Sequence, residues 1–392
     1  MDPGRSRVLD WARAAAIVLV LLRHGYLWQV QELDGGAWPA FAGNLARNGW
    51  LGVDLFFVLS GFLLSRQLLA RAQAANTSDF VRIFWYRRVL RILPAYLAVL
   101  LPLWFFREYA GDGYAATGYH QLLIHLVFLQ DYLGSGLLVT TWSLATEMKF
   151  YLLLPLLVLL SFRMASRSRF ACFLLAASAM LLAGRLGAWW IIRPATYPEF
   201  FWQVRAPFHH ALDGLLLGVA AGYLLQANLS WPQPCSQAGA KRVLAMLLLV
   251  GGALLISFDW LETAYPLASA MIWVFSIICS GLVLVGVSAE DAGNRPVGDS
   301  RVVSWVAGIS YPLYLIHYLM LGPALAIALA ADRWWHCPQV LFWAFYLISS
   351  FALAWVLHRV VEKPFLQLRN LRIRLEGPVD RRGRSPTRDR SR

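Results

Sequence analysis

Residues 8–26 read VLDWARAAAIVLVLLRHGY, and the reading of this stretch decides the fold. It is hydrophobic and long enough to cross a bilayer, yet it carries Asp10, Arg13 and His24. At about 100° per residue, Arg13 and His24 fall within about 20° of each other around a helix, and Asp10 lies about 40° away on the same side. Ionisable groups inside a span are costly and face a bundle interior or a wet cavity, so this helix face marks a site. Asp10 and Arg13 can equally sit at headgroup level and set orientation. His24, about 20 Å further along the helix, fits that account poorly. The apolar core from Ala14 to Leu22 is short and runs into Arg23 and His24, without a small-residue cleavage site. The segment therefore reads as a first span and not as a cleaved signal.

Of 392 residues, 59% are hydrophobic and 15% charged, with a mean hydropathy of +0.54. A soluble domain carries about 25% charge, so the chain is a polytopic membrane protein, all-α and without room for a large soluble unit. Of 35 basic residues 32 are arginine, the lysines being Lys149, Lys241 and Lys363. In a membrane protein such a balance reports cytoplasmic loops and not nucleic acid. Cys172, Cys235, Cys279 and Cys337 have neither metal nor redox spacing.

Apolar runs of about 20 residues predict ten transmembrane helices, at roughly 8–29, 49–71, 86–107, 142–163, 168–192, 207–227, 241–259, 265–289, 303–330 and 338–360. The shorter segment 119–133 reads as an interfacial or re-entrant helix. Loops 30–48, 108–141 and 260–264 hold one arginine between them, while Arg66, Arg71, Arg82, Arg87, Arg88, Arg91, Arg163, Arg167 and Arg169 fill loops of the other side. Positive-inside reasoning puts both termini in the cytoplasm; the expected location is the cell inner (plasma) membrane, as a multi-pass protein. Residues 1–368 form the transmembrane domain, and 369–392 a basic, disordered cytoplasmic tail lying near anionic lipid.

This topology assigns depths. His24, Asp54, Glu147 with Tyr151 one turn on, His209, His210, Asp213 and His317 all fall in the outer half, on five spans. Any one of them is explained by a satisfied structural polar group; together they point to a shared polar cavity. A neutral imidazole beside carboxylates is suited to deprotonating a hydroxyl. Metal spacing is absent, and Ser60 reads as packing more readily than as a nucleophile. Direct transfer to an acceptor hydroxyl needs the fewest assumptions. Trp38, Trp50, Trp142, Trp334 and Trp335 read as interface anchors first and as sugar-stacking surfaces second.

Seven pieces carry a resemblance: LDWARAAAIVLVLLRHGY (9–26), GVDLFFVLSGFLLSR (52–66), YRRVLRILPAY (86–96), TWSLATEMKFYLLLP (141–155), FHHALDGLLLGVAAG (208–222), GISYPLYLIHYLM (308–320) and VVEKPF (360–365). In this order they resemble the acyltransferase-3 family of integral membrane acyltransferases. The resemblance implies transfer of an acetyl or similar short acyl group from acyl-CoA, a co-substrate and not a bound cofactor. The acceptor would be a hydroxyl of a glycan, lipid-linked sugar or small glycosylated molecule. It implies His24 as catalytic base and Glu147 as a second essential group, with Arg13, Arg87, Arg88 and Arg91 facing the donor. Asp54, Tyr151 and His317 complete the polar layer. Lys149 departs from the uncharged polar residue the family pattern places there. Arginine forks suit the phosphates of CoA, and a thin pantetheine arm threading the bundle would bring the thioester to the base. The competing class is a proton-coupled transporter or flippase of a lipid-linked or anionic small molecule, because intramembrane His and carboxylates also serve proton relays.

Overall fold

The computed structural model describes residues 6–33, 38–72, 77–109, 118–164, 166–226 and 237–368, and these residues form helices joined by short connections. The basic segment 369–392 lies outside them, as do parts of several loops. In chain order the helices are α1 (Arg7–Glu32), α2 (Ala40–Arg47), α3 (Gly52–Ala72), α4 (Thr77–Tyr109), α5 (Gly118–Leu126), α6 (Gln130–Leu133), α7 (Trp142–Ser161) and α8 (Arg167–Ile192). They continue as α9 (Tyr197–Phe200), α10 (Asp213–Gln226), α11 (Gln237–Ser257), α12 (Trp260–Thr263), α13 (Tyr265–Asp291), α14 (Arg301–Ile316), α15 (Leu321–Trp335) and α16 (Pro338–Leu357).

Eight helical stretches among the described residues are long and apolar enough to cross a membrane: Ala40–Arg66, Val81–Tyr109, Val139–Leu159, Arg167–Ile192, Ala238–Ser257, Tyr265–Asp291, Arg301–Asp332 and Pro338–Leu368. They match eight of the ten runs expected from sequence. The other two differ for physical reasons. Helix α1 has the length, with 26 residues, but Asp10, Arg13, Arg23 and His24 dilute its apolar character. The run 207–227 is not one helix. Pro207, which has no N–H to donate, precedes a 3₁₀ turn at Phe208–His210, and α10 then spans only 14 residues, about 21 Å. The segment 119–133 forms the two short helices α5 and α6.

Despite its length α10 is the most enclosed helix of the bundle, buried from Asp213 to Tyr223 against α3, α8 and α13. Glycine makes this possible. A Cβ on Gly61 would stand 2.1 Å from the Leu215 carbonyl oxygen, and one on Gly218 2.1 Å from that of Val58, so only bare backbone lets α3 and α10 approach. Close approach through small residues is how helices gain dispersion contacts where no hydrophobic drive separates them from lipid. Helix α1 packs on α3 and α14, and its start is held by Glu290 of α13, which accepts from the Arg7 and Val8 amides at 3.0 and 3.1 Å. Helices α14 and α15 form one apolar stretch broken by a 3₁₀ turn at His317–Met320.

Candidate functional site

Two neighbouring cavities lie in the bundle beside α1, α3 and α14. The first is lined by Arg13 of α1, Phe57 and Ser60 of α3, Arg88 and Arg91 of α4, Glu147 and Tyr151 of α7, and Tyr311 of α14. The second is lined by Arg23 and His24 of α1, Trp50, Trp142, Tyr197, Phe201, Trp202, Arg205 and Tyr318. Val53 and Tyr314 face both, so they form the wall between them. The Tyr314 hydroxyl is fixed in that wall: it donates to the Thr140 carbonyl at 2.7 Å and lies 2.7 Å from the Ser143 hydroxyl.

In the first cavity Glu147 Oε1 accepts hydrogen bonds from the Ser60 and Tyr151 hydroxyls, the second a same-face contact one turn along α7. Arg88 lies over the rings of Phe84 and Tyr151, 5.7 and 5.9 Å from their centroids. Arg13 reaches Asp10 at 3.4 Å and also lines the cavity. Of the three arginines of α4 singled out in the sequence, Arg88 and Arg91 reach this cavity and Arg87 is not among its lining residues.

In the second cavity the helix fixes the His24 ring. His24 Nδ1 lies 2.9 Å from the Val20 carbonyl oxygen and 3.2 Å from His317 Nε2. A carbonyl can only accept, so Nδ1 carries the proton and Nε2 is left with its lone pair and no hydrogen-bond partner among the described residues. His317 follows the same logic. Its Nδ1 donates to the Tyr314 carbonyl at 2.8 Å, which frees its Nε2 to accept from His24. The 3₁₀ turn beginning at His317 sets up this register.

The expected single polar layer therefore resolves into separate units. His24 and His317 meet. His24 and Glu147 line different cavities, which meet at Val53 and Tyr314, because depth counted along isolated helices says nothing of the side chains that other helices place between two levels. Asp54 lines neither cavity; both its oxygens accept from Arg205 Nη2, at 2.9 and 2.8 Å, with 1% and 4% of the two side chains exposed. Asp213 is paired in the same way with the fully buried Arg185 of α8, which also donates to the His210 and Ser269 carbonyls. His209 meets the Tyr132 hydroxyl at 2.8 Å, outside both cavities. Lys149 reaches across to Asp131 of α6 and lies 4.8 Å over the Tyr132 ring, so it pins the α6 segment to α7. Burial pushes the Asp131 carboxyl up, and the Lys149 ammonium opposes that shift.

Arg23, Arg185, Arg205 and Tyr314 were missed in the sequence. Arg185 had a signal, a lone charge inside an apolar run. Arg205 sits in a one-turn π-helix between spans, where a loop reading gives an arginine no inward direction.

A helical bundle with two neighbouring interior cavities, one carrying Arg13, Arg88, Arg91 and Glu147 and the other Arg23, His24 and an aromatic lining, defines a multi-pass membrane protein with an internal reaction or binding site. The profile described as "Acyltransferase domain" matches residues 7–359, and the chain belongs to this family, acyltransferase-3. Peptidoglycan O-acetyltransferase OatA of Listeria monocytogenes is 26% identical over 332 residues, which is 79% of this chain and 48% of the relative. A putative membrane-bound transacylase, BcsY of Komagataeibacter xylinus, is 26% identical over 341 residues, 80% of this chain and 72% of the relative. O-acetyltransferase OatA of Staphylococcus aureus is 30% identical over 162 residues, 38% of this chain and 24% of the relative. The chain thus spans about half the length of the Listeria relative. No solved structure matches it.

Proposed function

We propose that the protein is a membrane-embedded O-acyltransferase that moves an acetyl or similar short acyl group from acyl-CoA to a hydroxyl of a glycan. Peptidoglycan is the acceptor class suggested by the name of the Listeria relative. The observation that carries the reading is the tautomer of His24, whose Nδ1–H is held by the Val20 carbonyl and His317 while Nε2 is left as a base at an aromatic-lined cavity. Nε2 takes the proton of the acceptor hydroxyl as its oxygen attacks the thioester carbonyl. The tetrahedral adduct then collapses with cleavage of the C–S bond, and the imidazolium returns the proton to the thiolate. The products are the O-acyl glycan and CoA with a free thiol. Such a base contributes about 10²–10⁴-fold.

Donor and acceptor approach from opposite ends. Arg13, Arg88 and Arg91 bind the phosphates of CoA in the first cavity, which faces the cytoplasm. Glu147 Oε2, without a partner among the described residues, accepts from an amide N–H of the pantetheine arm. The arm passes Val53 and Tyr314 to reach His24. In this reading the chain crosses the inner membrane ten times, with α1 and α10 as the two further crossings and both termini cytoplasmic.

The test is reconstitution in vesicles, with radiolabelled acetyl-CoA on the face carrying the arginines and a peptidoglycan oligosaccharide on the other. Label should appear on the oligosaccharide with wild-type protein and not with His24→Ala, while the variant still binds acetyl-CoA. Movement of unmodified oligosaccharide across the membrane without acetylation would instead establish the transporter class.

A further inference from the structure

Arg23 precedes His24 in α1 and lines the same cavity, only 7% exposed. Its Nη1 donates to the Arg47 carbonyl at 2.7 Å, and its guanidinium lies 5.8 Å from the Tyr197 ring centroid. Among the described residues no carboxylate is paired with it. The other two buried arginines of this end of the bundle, Arg185 and Arg205, each have an aspartate. A buried guanidinium without a counter-ion is costly, and it persists where a ligand supplies the negative charge.

The rest of the lining agrees. Among the described residues no Asp or Glu lines the second cavity. Two side chains that do line it carry buried donors without a partner: Arg205 Nη1, since Nη2 is spent on Asp54, and Trp50 Nε1. Arg and Trp nitrogens can only donate, so the complementary group is one that only accepts. Carboxylate and phosphate oxygens fit this, and charge-assisted bonds to them are the strong ones. The aromatic rings of Trp50, Trp142 and Tyr197 supply the apolar faces that a sugar ring stacks on.

We propose that this cavity selects an anionic acceptor: a glycan whose carboxylate or phosphate is held by Arg23, with Arg205 and Trp50, next to the hydroxyl presented to His24. This rests on the acyl-transfer reading above for the role of His24, but the binding itself does not require turnover. Arg23 and His24 line the same cavity, so one ligand can present its anion to the first and its hydroxyl to the second.

The experiment titrates the tryptophan fluorescence of the purified full chain in nanodiscs, since Trp50 and Trp142 report on the cavity. The probes are an N-acetylglucosaminyl–N-acetylmuramic acid disaccharide, its methyl ester, and N-acetylglucosamine 1-phosphate. The acid or the phosphate should bind about tenfold or more tighter than the ester, the scale of one hydrogen-bonded charge. Whichever of the two binds tighter identifies the anion as a sugar carboxylate or a sugar phosphate. The preference should collapse in Arg23→Gln, largely survive in Arg23→Lys, and be untouched in Arg193→Gln. Equal affinities, absence of binding by all three probes, or a preference that survives Arg23→Gln overturns the proposal. Acetyl transfer to the same probes separates the two readings. Equal binding with transfer to both acid and ester removes the anion site and leaves the acyltransferase. Charge-dependent binding with transfer to none does the reverse. A fall in kcat for the ester in Arg23→Gln, with no change in charge preference, would assign Arg23 to the tetrahedral oxyanion instead.

Discussion

Replacing His317 by leucine should slow acyl transfer far less than replacing His24 by alanine. The magnitudes follow from two contacts. His24 Nδ1–H is shared between the Val20 carbonyl at 2.9 Å and His317 Nε2 at 3.2 Å. Removing His317 leaves the shorter bond, so the tautomer that exposes Nε2 survives. The loss is one neutral hydrogen bond that helps to aim the ring, worth about 0.5–1.5 kcal/mol. At about 1.4 kcal/mol per tenfold, kcat should fall roughly 2- to 12-fold. Leucine fills most of the fully buried site, which limits the cavity cost, and a thermal unfolding scan checks that the bundle persists. His24→Ala removes the base itself and should cost about 10²–10⁴-fold. The double variant should be no slower than His24→Ala, because a ring that is gone cannot be aimed. Initial rates of label transfer from acetyl-CoA at saturating donor measure all three. A His317→Leu enzyme as slow as His24→Ala would refute the reasoning and make His317 the base.

Arg205→Met leaves Asp54 buried without its partner and should destabilise the bundle by about 3–5 kcal/mol, whereas Asp54→Leu with Arg205→Met should recover most of that loss; thermal unfolding in detergent tests both. Arg88→Ala and Arg91→Ala should raise the apparent KM for acetyl-CoA more than they lower kcat, and Arg87→Ala should do so least because it does not line the cavity. A fall in expression with unchanged donor affinity would assign these arginines to topology alone. Tyr314→Ala opens the wall between the cavities and should raise acetyl-CoA hydrolysis in the absence of acceptor, read as thiol release; hydrolysis at the wild-type rate would show that Tyr314 is no barrier. Labelling of single cysteines should place 108–141 outside and both termini inside.

The sequence by itself determined the all-helical membrane class, because about 20 apolar residues in a row have few other uses, and hydropathy is a local property. It determined the family through motifs in order along the chain. It also singled out His24 and His317, since an imidazole inside an apolar run needs a reason wherever it points. Local periodicity even placed Tyr151 over Glu147 and Arg13 on the inner face of α1. Contacts between distant segments were decided only by tertiary structure. Whether Asp54 faced a substrate or a counter-ion depended on Arg205, 151 positions away, and a carboxylate looks the same in sequence either way. Depth counted along separate helices put His24 and Glu147 at one level in one cavity, whereas in the bundle they line two cavities that meet at Val53 of α3 and Tyr314 of α14. Lys149 looked like a departure from pattern until Asp131 was found beneath it. Arg23 was hidden for the opposite reason: in a basic chain one more arginine beside a histidine is unremarked, and only burial without a carboxylate partner gives it meaning. Pairing of buried charges is a property of the assembled bundle, and the spacing of residues along one helix does not encode it.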